Sequence, residues 1–541
     1  MVEKRIGVCN LCEAICGLEL TIDDGVVTSV RGNDADPLSR GHICPKGVAI
    51  ADVYTDPDRL RRPVKRVGDD WVEIGWDEAF DLVADNLARI IGEHGRDSLG
   101  FYLGNPNVHS LGSMTHGIGM VKALRSRNTF SATSVDQLPH QLLAHLMFGH
   151  QLLLPIPDID RTSYFLVFGA NPMASNGSLM TAPDFPNRLR ELKRRGGQMV
   201  VFDPRRTETA KVSTEHHFVR PGADAWVLLA MLNVLFADGI ATPPSYADRL
   251  GAVEDALRDF TPERAAAMSG VPADEIVRVA RDFADAESAV AYGRVGVSTH
   301  EFGSVCQWAV NLLNILTGNF DRIGGAMFTS PAIDAVGTGL IGRGHHGAWH
   351  SRVRGLPETA GELPVAVLSE EIETPGPGQI RAMLTLSGNP VLSTPDGVRL
   401  DGALASLDFM AAVDIYVNET TRHADVILPP NDGARARPLR PDLPDLRGAQ
   451  HGTVHTGRVR QGQGRPPRLA DLPRDRPAHD QATAHQAVPA QPRPPVRTHE
   501  HQSHPSGRAA AAAHAHRRHS QEAARPPRGH RPRPTAARVD A

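Results

Sequence analysis

As far as ADVILPPNDG (424–433), short apolar runs alternate with stretches whose apolar positions repeat at helical spacing. The runs SYFLVFGA (163–170), GQMVVFD (197–203), AVAYGRV (289–295), RAMLTLSG (381–388) and MAAVDIYV (410–417) have the length and apolar continuity of buried parallel strands. Between them, PNRLRELKRRG (186–196) keeps a polar face and stops at Gly196. By contrast, DAWVLLAMLNVLFADG (224–239) is apolar nearly all round and predicts a buried helix. This βαβα succession predicts doubly wound α/β layers, in which ligands lie beyond the carboxyl ends of the strands. Several runs lead into Gly, Asn, Asp and Pro, as GANP, DPRR and SGNP. Such loops bring bare backbone and short polar side chains up to a phosphate or a base, and Gly and Pro also simply end strands.

The pattern stops at Ala434. From there to Ala541 the chain has no Phe, Tyr, Trp, Ile, Met, Cys or Asn and is rich in Arg, Pro, Ala and His. Such a tail buries too little apolar surface to offset its ordering entropy, so it is expected to be disordered. One reading is a natural Pro/Arg tail; the preferred one is a reading-frame slip, because the break falls abruptly after ADVILPP. His-rich stretches such as HEHQSH would bind metal only adventitiously. A chain of 541 residues exceeds one ordinary core and predicts several domains. A formal net charge of -4 gives no electrostatic commitment to nucleic acid, and no apolar run reaches the roughly 18 residues of a membrane span. The start MVEKRIGV leads directly into a cysteine cluster, leaving no room for a secretory or twin-arginine segment. A cytoplasmic location is expected, although a partner subunit with an export signal would serve for both.

Of the five cysteines, Cys9, Cys12, Cys16 and Cys44 share a C-x2-C-x3-C-x27-C spacing. Tight turns let the first three thiolates converge while Cys44 closes from a separate loop. Four thiolates hold zinc or an iron–sulfur cluster; zinc more often uses two C-x2-C pairs, and disulfides do not suit a cytoplasmic chain of this length. An iron–sulfur cluster is therefore favoured, which makes the protein a carrier of single electrons. Cys306, in the apolar helix SVCQWAVNLLNILTG, reads as a buried small side chain.

The cysteine spacing followed by CPKG, GANP, DPRRTETA, RPGADAW, SGNPVLS and ETTRHADVILP, in that order, resembles the molybdopterin oxidoreductases of the dimethyl sulfoxide reductase class over residues 5–433. The resemblance implies a molybdenum or tungsten ion between two molybdopterin guanine dinucleotides, and a 4Fe-4S cluster that exchanges electrons with the pterin. It implies an α/β fold with a small iron–sulfur domain (1–60) and a discontinuous molybdopterin-binding domain (61–135 and 330–433). A second α/β domain (136–329) is dinucleotide-binding-like, and residues 434–541 stand where the family has a β-barrel-like cap. Without that cap one side of the cofactor site would open to water.

Carried over by position, Cys9, Cys12, Cys16 and Cys44 would ligate the cluster and Lys46 would lie on the electron path, where a cation stabilises added electrons. The alternative for Lys46 is a solvated surface lysine. Asn171 would approach one dinucleotide, and Asp203, Arg205 and Thr207 would read its ribose and phosphates. Gly222 and Asp224 resemble the guanine-binding turn; Asp224 also suits a helix N-terminus. Asn389, Glu419, Thr420 and Thr421 resemble contacts to the second dinucleotide. Matching SRNTFSATSVDQLPHQ through Asn128 puts Asp136 at the position of the metal's protein ligand. A small shift chooses Ser134, and a site without that ligand is the third alternative. Formate dehydrogenases have sulfur or selenium followed by His where this chain has Asp136 and Gln137, which counts against formate. His345 and His346 of GRGHHGAWH would line the funnel and shuttle protons, or belong to a surface loop. The implied partners are a small-molecule redox substrate and an electron-transfer protein or subunit. Two other readings stay open: a truncated, cofactor-poor product acting as an iron–sulfur electron-transfer or interaction module, and a zinc-stabilised α/β binding protein.

Overall fold

In the computed structural model of the protein, residues 2–430 are described apart from 111, 178, 243, 248–249 and 332–333; the expected tail (434–541) lies outside the described residues. The chain opens with an antiparallel meander, Val2–Val8 (β1), Gly17–Asp23 (β2) and Val26–Gly32 (β3). The cysteine-bearing segment 9–16 is the connection between its first two strands.

Val64–Val67 (β4), Asp70–Glu73 (β5), Leu99–Leu103 (β6) and Asn128–Ser131 (β7) begin a seven-stranded sheet. The chain then leaves that sheet. Ile156–Pro157 (β8) starts an inserted layer built on Tyr164–Phe168 (β9), Gln198–Phe202 (β10), Glu215–His217 (β11) and Ala289–Gly293 (β12). Ala326–Met327 (β13) returns to pair with β8, and His346–His350 (β14) with Pro357–Thr359 (β15) makes a hairpin. Ala382–Leu386 (β16), Phe409–Val413 (β17) and Val426–Ile427 (β18) complete the first sheet.

Strand order decides where a ligand fits. The four inserted strands run parallel in the order β11-β10-β9-β12, so chain order reverses between β9 and β12. The parallel part of the large sheet runs β18-β17-β16-β6-β7 and reverses between β6 and β16. At such a switch point the loops leaving neighbouring strands diverge and open a crevice beyond the strand ends. Both crevices coincide with the loops flagged from composition: GANP follows β9 and SGNP follows β16.

The runs expected as strands are strands because they are buried on both faces; Phe165, Leu166, Val167 and Phe168 have no exposed surface. The helix Asp224–Ala237 buries almost every residue, as expected, against the helices Pro262–Ser269, Ala273–Asp285 and Gly303–Leu316. Among the described residues edge strand β12 has no strand paired on one side, and Asn314 substitutes for one: Ala291 N–H donates to Asn314 Oδ1 (2.8 Å) and Asn314 Nδ2 donates to Ala291 O (3.0 Å). Cys306 is buried in the same helix. Two runs differ from expectation. MAAVDIYV ends as a strand at Val413, because Asp414 Oδ1 accepts from the Ile415 and Tyr416 N–H groups and turns the chain. GRGHHGAWH runs into a hairpin strand and is not a loop throughout. Among the described residues no helix is long and apolar enough to cross a membrane.

One buried guanidinium joins the cysteine-bearing region to the inserted layer. Arg188, 3% exposed, donates to Leu38 O (2.8 Å), Pro183 O (2.8 Å) and Asp160 Oδ2 (2.5 Å), and Arg40 shares that carboxylate at 2.9 Å. Arg188→Met strands two buried carbonyls and leaves Asp160 with Arg40 alone, so it is expected to cost about 2–3 kcal/mol. A lowered midpoint in chemical denaturation checks this; the parent's midpoint would show that the joint is held elsewhere.

Candidate cofactor and metal site

The segment between β1 and β2 is closed by Cys9 N–H donating to Cys16 O (2.9 Å), with Ile15 at φ +40° in the turn. Gly17 has no room for a side chain, since a Cβ would lie 2.6 Å from Asp36 Cβ. Its N–H donates to Ser39 Oγ (3.0 Å) and Asp36 Oδ2 (3.3 Å), tying the turn to the segment that leads to Cys44. Cys44 precedes the short helix Pro45–Val48, and all four thiols are free. Burial raises the Cys9, Cys12 and Cys16 thiols, Cys16 to about 12, and the neighbouring cysteines push the same way. Lys46, exposed in the turn after Cys44, pulls Cys9 and Cys12 down. Thiols so placed need metal cations to become thiolates.

A tetrahedral zinc with Zn–S of about 2.3 Å brings its sulfurs to roughly 3.8 Å of one another. Among the described residues one set of three ligand atoms lies within 4.8 Å, and it is Glu215, His217 and Glu275, not the cysteines. Four cysteines brought together from two segments of the amino-terminal region match the ligand number of an iron–sulfur cluster or of zinc. The Glu215 set already has its cation, because Arg278 donates to both carboxylates.

Beyond β7, Ser131 Oγ donates to Glu362 Oε2 (2.5 Å), and the Ser134 hydroxyl accepts from Val365 N–H (2.9 Å). Asp136 follows, 40% exposed, and its carboxylate is forked by Arg294, 10% exposed, at 2.5 Å (Nη1–Oδ1) and 3.4 Å (Nη2–Oδ2). Arg294 stands immediately beyond β12, at the switch point, and the Glu13 carboxylate of the cysteine turn also acts on it. His140 packs alongside: burial first, then Arg294, pushes its pKa down to about 4, and its neutral ring donates from Nε2 to Gly293 O (2.9 Å). His345 and His346 are tied into the hairpin, His345 to the buried Glu358 and His346 to Thr359 Oγ1 (2.8 Å). Among the described residues neither ring bonds to Asp136 or Arg294.

The two switch-point loops are built alike. Asn171 Nδ2 donates to Glu208 Oε2 (2.8 Å), its Oδ1 accepts from Thr209 Oγ1 (2.7 Å), and that hydroxyl accepts from Met173 N–H (3.1 Å). Asn389 Nδ2 donates to Glu419 Oε2 (2.8 Å), its Oδ1 accepts from Thr420 Oγ1 (2.7 Å), and that hydroxyl accepts from Val391 N–H (3.2 Å). In each case the asparagine's bond holds the exposed glutamate's pKa below the usual range. Thr421 lies inward, donating to Tyr416 O (2.8 Å). Glu208 and Thr209 escaped the sequence reading. Their signal was the repetition of NP followed by ET in both halves of the chain.

Asp203 ends β10 and accepts from Arg205 N–H (2.8 Å); burial raises its pKa. Arg205 is exposed, and Thr207 caps the next helix by accepting from Ala210 N–H (3.1 Å). Gly222 takes φ +80°, and Asp224 opens the long buried helix. Asp224 is 3% exposed, its Oδ1 has no hydrogen-bond partner, and burial with help from Asp203 raises its pKa to about 6. A buried acceptor without a donor, beside a crevice, fits a ligand that brings N–H groups.

A family model for the molybdopterin oxidoreductase Fe4S4 domain matches residues 5–55, and one for molybdopterin oxidoreductase matches residues 59–432. The F420-dependent formate dehydrogenase 2 subunit alpha of Methanococcus maripaludis is 25% identical over 440 residues, 78% of this chain and 63% of that protein. The thiosulfate reductase molybdopterin-containing subunit of Salmonella typhimurium is 27% identical over 458 residues, 78% of this chain and 57% of that protein. Acetylene hydratase from Pelobacter acetylenicus superposes with a TM-score of 0.68 at 21% identity, covering 79% of this chain and 62% of that one, and supports the fold. The chain thus spans about three fifths of the length of the relatives it matches. The matched domains imply a 4Fe-4S cluster and a molybdopterin cofactor with molybdenum or tungsten, and they favour the oxidoreductase reading over the cofactor-poor one. With both matched stretches placed in the fold, the conclusion is that this chain belongs to the molybdopterin oxidoreductase family.

Proposed function

We propose that the chain is the catalytic part of a molybdenum or tungsten oxidoreductase that takes a small-molecule redox substrate and passes electrons singly, through a 4Fe-4S cluster, to a partner protein. The observation that carries this reading is the repeated Asn–Glu–Thr arrangement at both switch points, one for each of two dinucleotides. Bound there, the cofactor supplies a two-electron metal centre, often moving an oxygen atom with the electrons. The domains proposed for these tasks are 1–60 for the cluster, 61–135 with 330–433 for one dinucleotide and 136–329 for the other. A cytoplasmic location belongs to the same proposal.

The residues' own tasks follow from their surroundings. Cys9, Cys12, Cys16 and Cys44 hold the cluster, with Lys46 as the nearby cation. Asp136, at the position that the family match gives the ligand, is the proposed metal ligand, with Ser134, which accepts from Val365 N–H, as the alternative. Arg294 orients the Asp136 carboxylate by holding both of its oxygens. With a carboxylate in the ligand position followed by Gln137, formate is left out of the proposed substrates. Asp203, Arg205 and Thr207 flank one dinucleotide, and Asp224 beyond Gly222 accepts from the N–H edge of its guanine. Asn389 and Glu419 face the other, with Thr420 bracing Asn389 and Thr421 holding the loop from inside. The hairpin bonds of His345 and His346 give them a structural task first and a proton-carrying one second.

Two measurements test this reading. Anaerobically purified protein should contain about four irons with molybdenum or tungsten and pterin; iron and sulfide without heavy metal or pterin would contradict it. Against that parent, Arg294→Met should lower metal retention or turnover by about 10–100-fold while leaving the iron content unchanged. An unaffected variant would show that Asp136 does not depend on Arg294.

Asp224 gives a prediction in the cofactor-free protein. Its carboxyl titrates near 3.8 when unfolded and near 6 when folded. The folded state therefore binds the extra proton between these values, and stability falls as pH rises through that window. Relative to Asp224→Asn, the parent should lose about 3 kcal/mol from pH 3 to pH 7, about 2 kcal/mol of it between pH 4 and pH 6. Parallel curves in urea unfolding would show that Asp224 is solvated and unsuited to the base-binding role.

A further inference from the structure

The turns that follow Asn171 and Asn389 are alike up to their last residue. Each starts from an asparagine whose amide joins a glutamate and a threonine, and each winds one short helical turn, Pro172–Ser175 and Pro390–Ser393. They part at the next position. Asn176 takes a left-handed backbone, φ +56°, and its Nδ2 donates to Cys16 Sγ at 3.8 Å. Thr394 is extended, φ −122° and ψ 161°, and its Oγ1 donates back to Pro390 O at 2.7 Å.

The second turn acts as an internal control for the first. It makes the same Asn–Glu–Thr arrangement without an asparagine at its end, so that arrangement does not require one. What differs is the neighbour: the first turn ends against a cysteine of the amino-terminal domain. Asparagine is one of the few L residues that settle into left-handed backbone, and that conformation aims its amide at the sulfur. An N–H donor on a ligating sulfur withdraws electron density from it, which favours the cluster's reduced form.

We propose that Asn176 is a positioning residue of the iron–sulfur centre: its amide hydrogen-bonds the Cys16 thiolate, raises the cluster's reduction potential, and fixes that sulfur to the turn beginning at Asn171. The inference rests on the cluster being held by Cys9, Cys12, Cys16 and Cys44, and is independent of the substrate. One turn of chain then has the first dinucleotide loop at one end and a cluster ligand at the other.

The test is a redox titration of the cluster, followed by electron paramagnetic resonance, on the full chain purified anaerobically. Asn176→Gly removes the donor and keeps the left-handed backbone unstrained; Asn176→Asp keeps the shape and replaces the donor with a negative charge. Both should retain the parent's iron and sulfide while their midpoint potentials fall, Asn176→Asp further than Asn176→Gly. Thr394→Gly, at the equivalent place in the second turn, should titrate with the parent. An iron-loaded Asn176→Gly at the parent's potential, or a Thr394→Gly shifted as far, would overturn the inference alone. An iron-free parent would overturn the cluster assignment and the inference together.

Discussion

Where two neighbouring strands send their loops in opposite directions, the loops must pass each other, and here they pass with no room for a side chain. A Cβ on Gly169, at φ +52°, would lie 2.7 Å from Val297 N, and Gly296 N–H donates to Gly169 O at 2.9 Å. A Cβ on Gly104 would lie 1.8 Å from Ser387 O, and one on Gly388 would lie 2.6 Å from the Tyr102 ring. These two backbone approaches close the bottom of each crevice and set the direction in which Asn171 and Asn389 leave their strands. Larger residues would push the loops apart and strain each asparagine's bonds to its Glu and Thr partners.

Above that floor, charge is arranged so that little of it is buried alone. Arg294 meets Asp136, Arg188 meets Asp160, and the exposed glutamates are held by asparagine amides rather than by cations. The groups left without partners are informative for that reason. Asp224 keeps an unpaired oxygen in a buried place, and burial keeps the Cys9, Cys12 and Cys16 thiols raised. A ligand of the right sign answers each: N–H donors for the carboxylate, metal cations for the thiols.

Much of this was legible in the sequence because it depends on local chemistry. Continuous apolar runs gave buried strands, and GANP and SGNP marked strand ends that proved to be switch points. Asp224 was visible as an acid opening an apolar helix. What escaped depends on contacts far apart in the chain. Arg294 stands 158 residues from Asp136, and its strand, AVAYGRV, carried no sign of which carboxylate it would meet. Asn176 lies 160 residues from Cys16. MAAVDIYV was over-extended because Asp414 turns the chain with its side chain, which apolar continuity does not register. GRGHHGAWH left a funnel lining and a surface loop equally open because its glycines hide its strand residues, and the buried Glu358 that holds the hairpin is supplied by the other strand.

The central claim is that two equivalent loops hold two dinucleotides on this one chain, and counting the nucleotide tests it most directly. Protein purified with its metal would be hydrolysed in acid and the released guanosine monophosphate measured against molybdenum or tungsten. Two per metal ion is the predicted result. One per metal ion, or none, would contradict the claim, because one or both of the Asn–Glu–Thr arrangements would then be scaffold without a ligand.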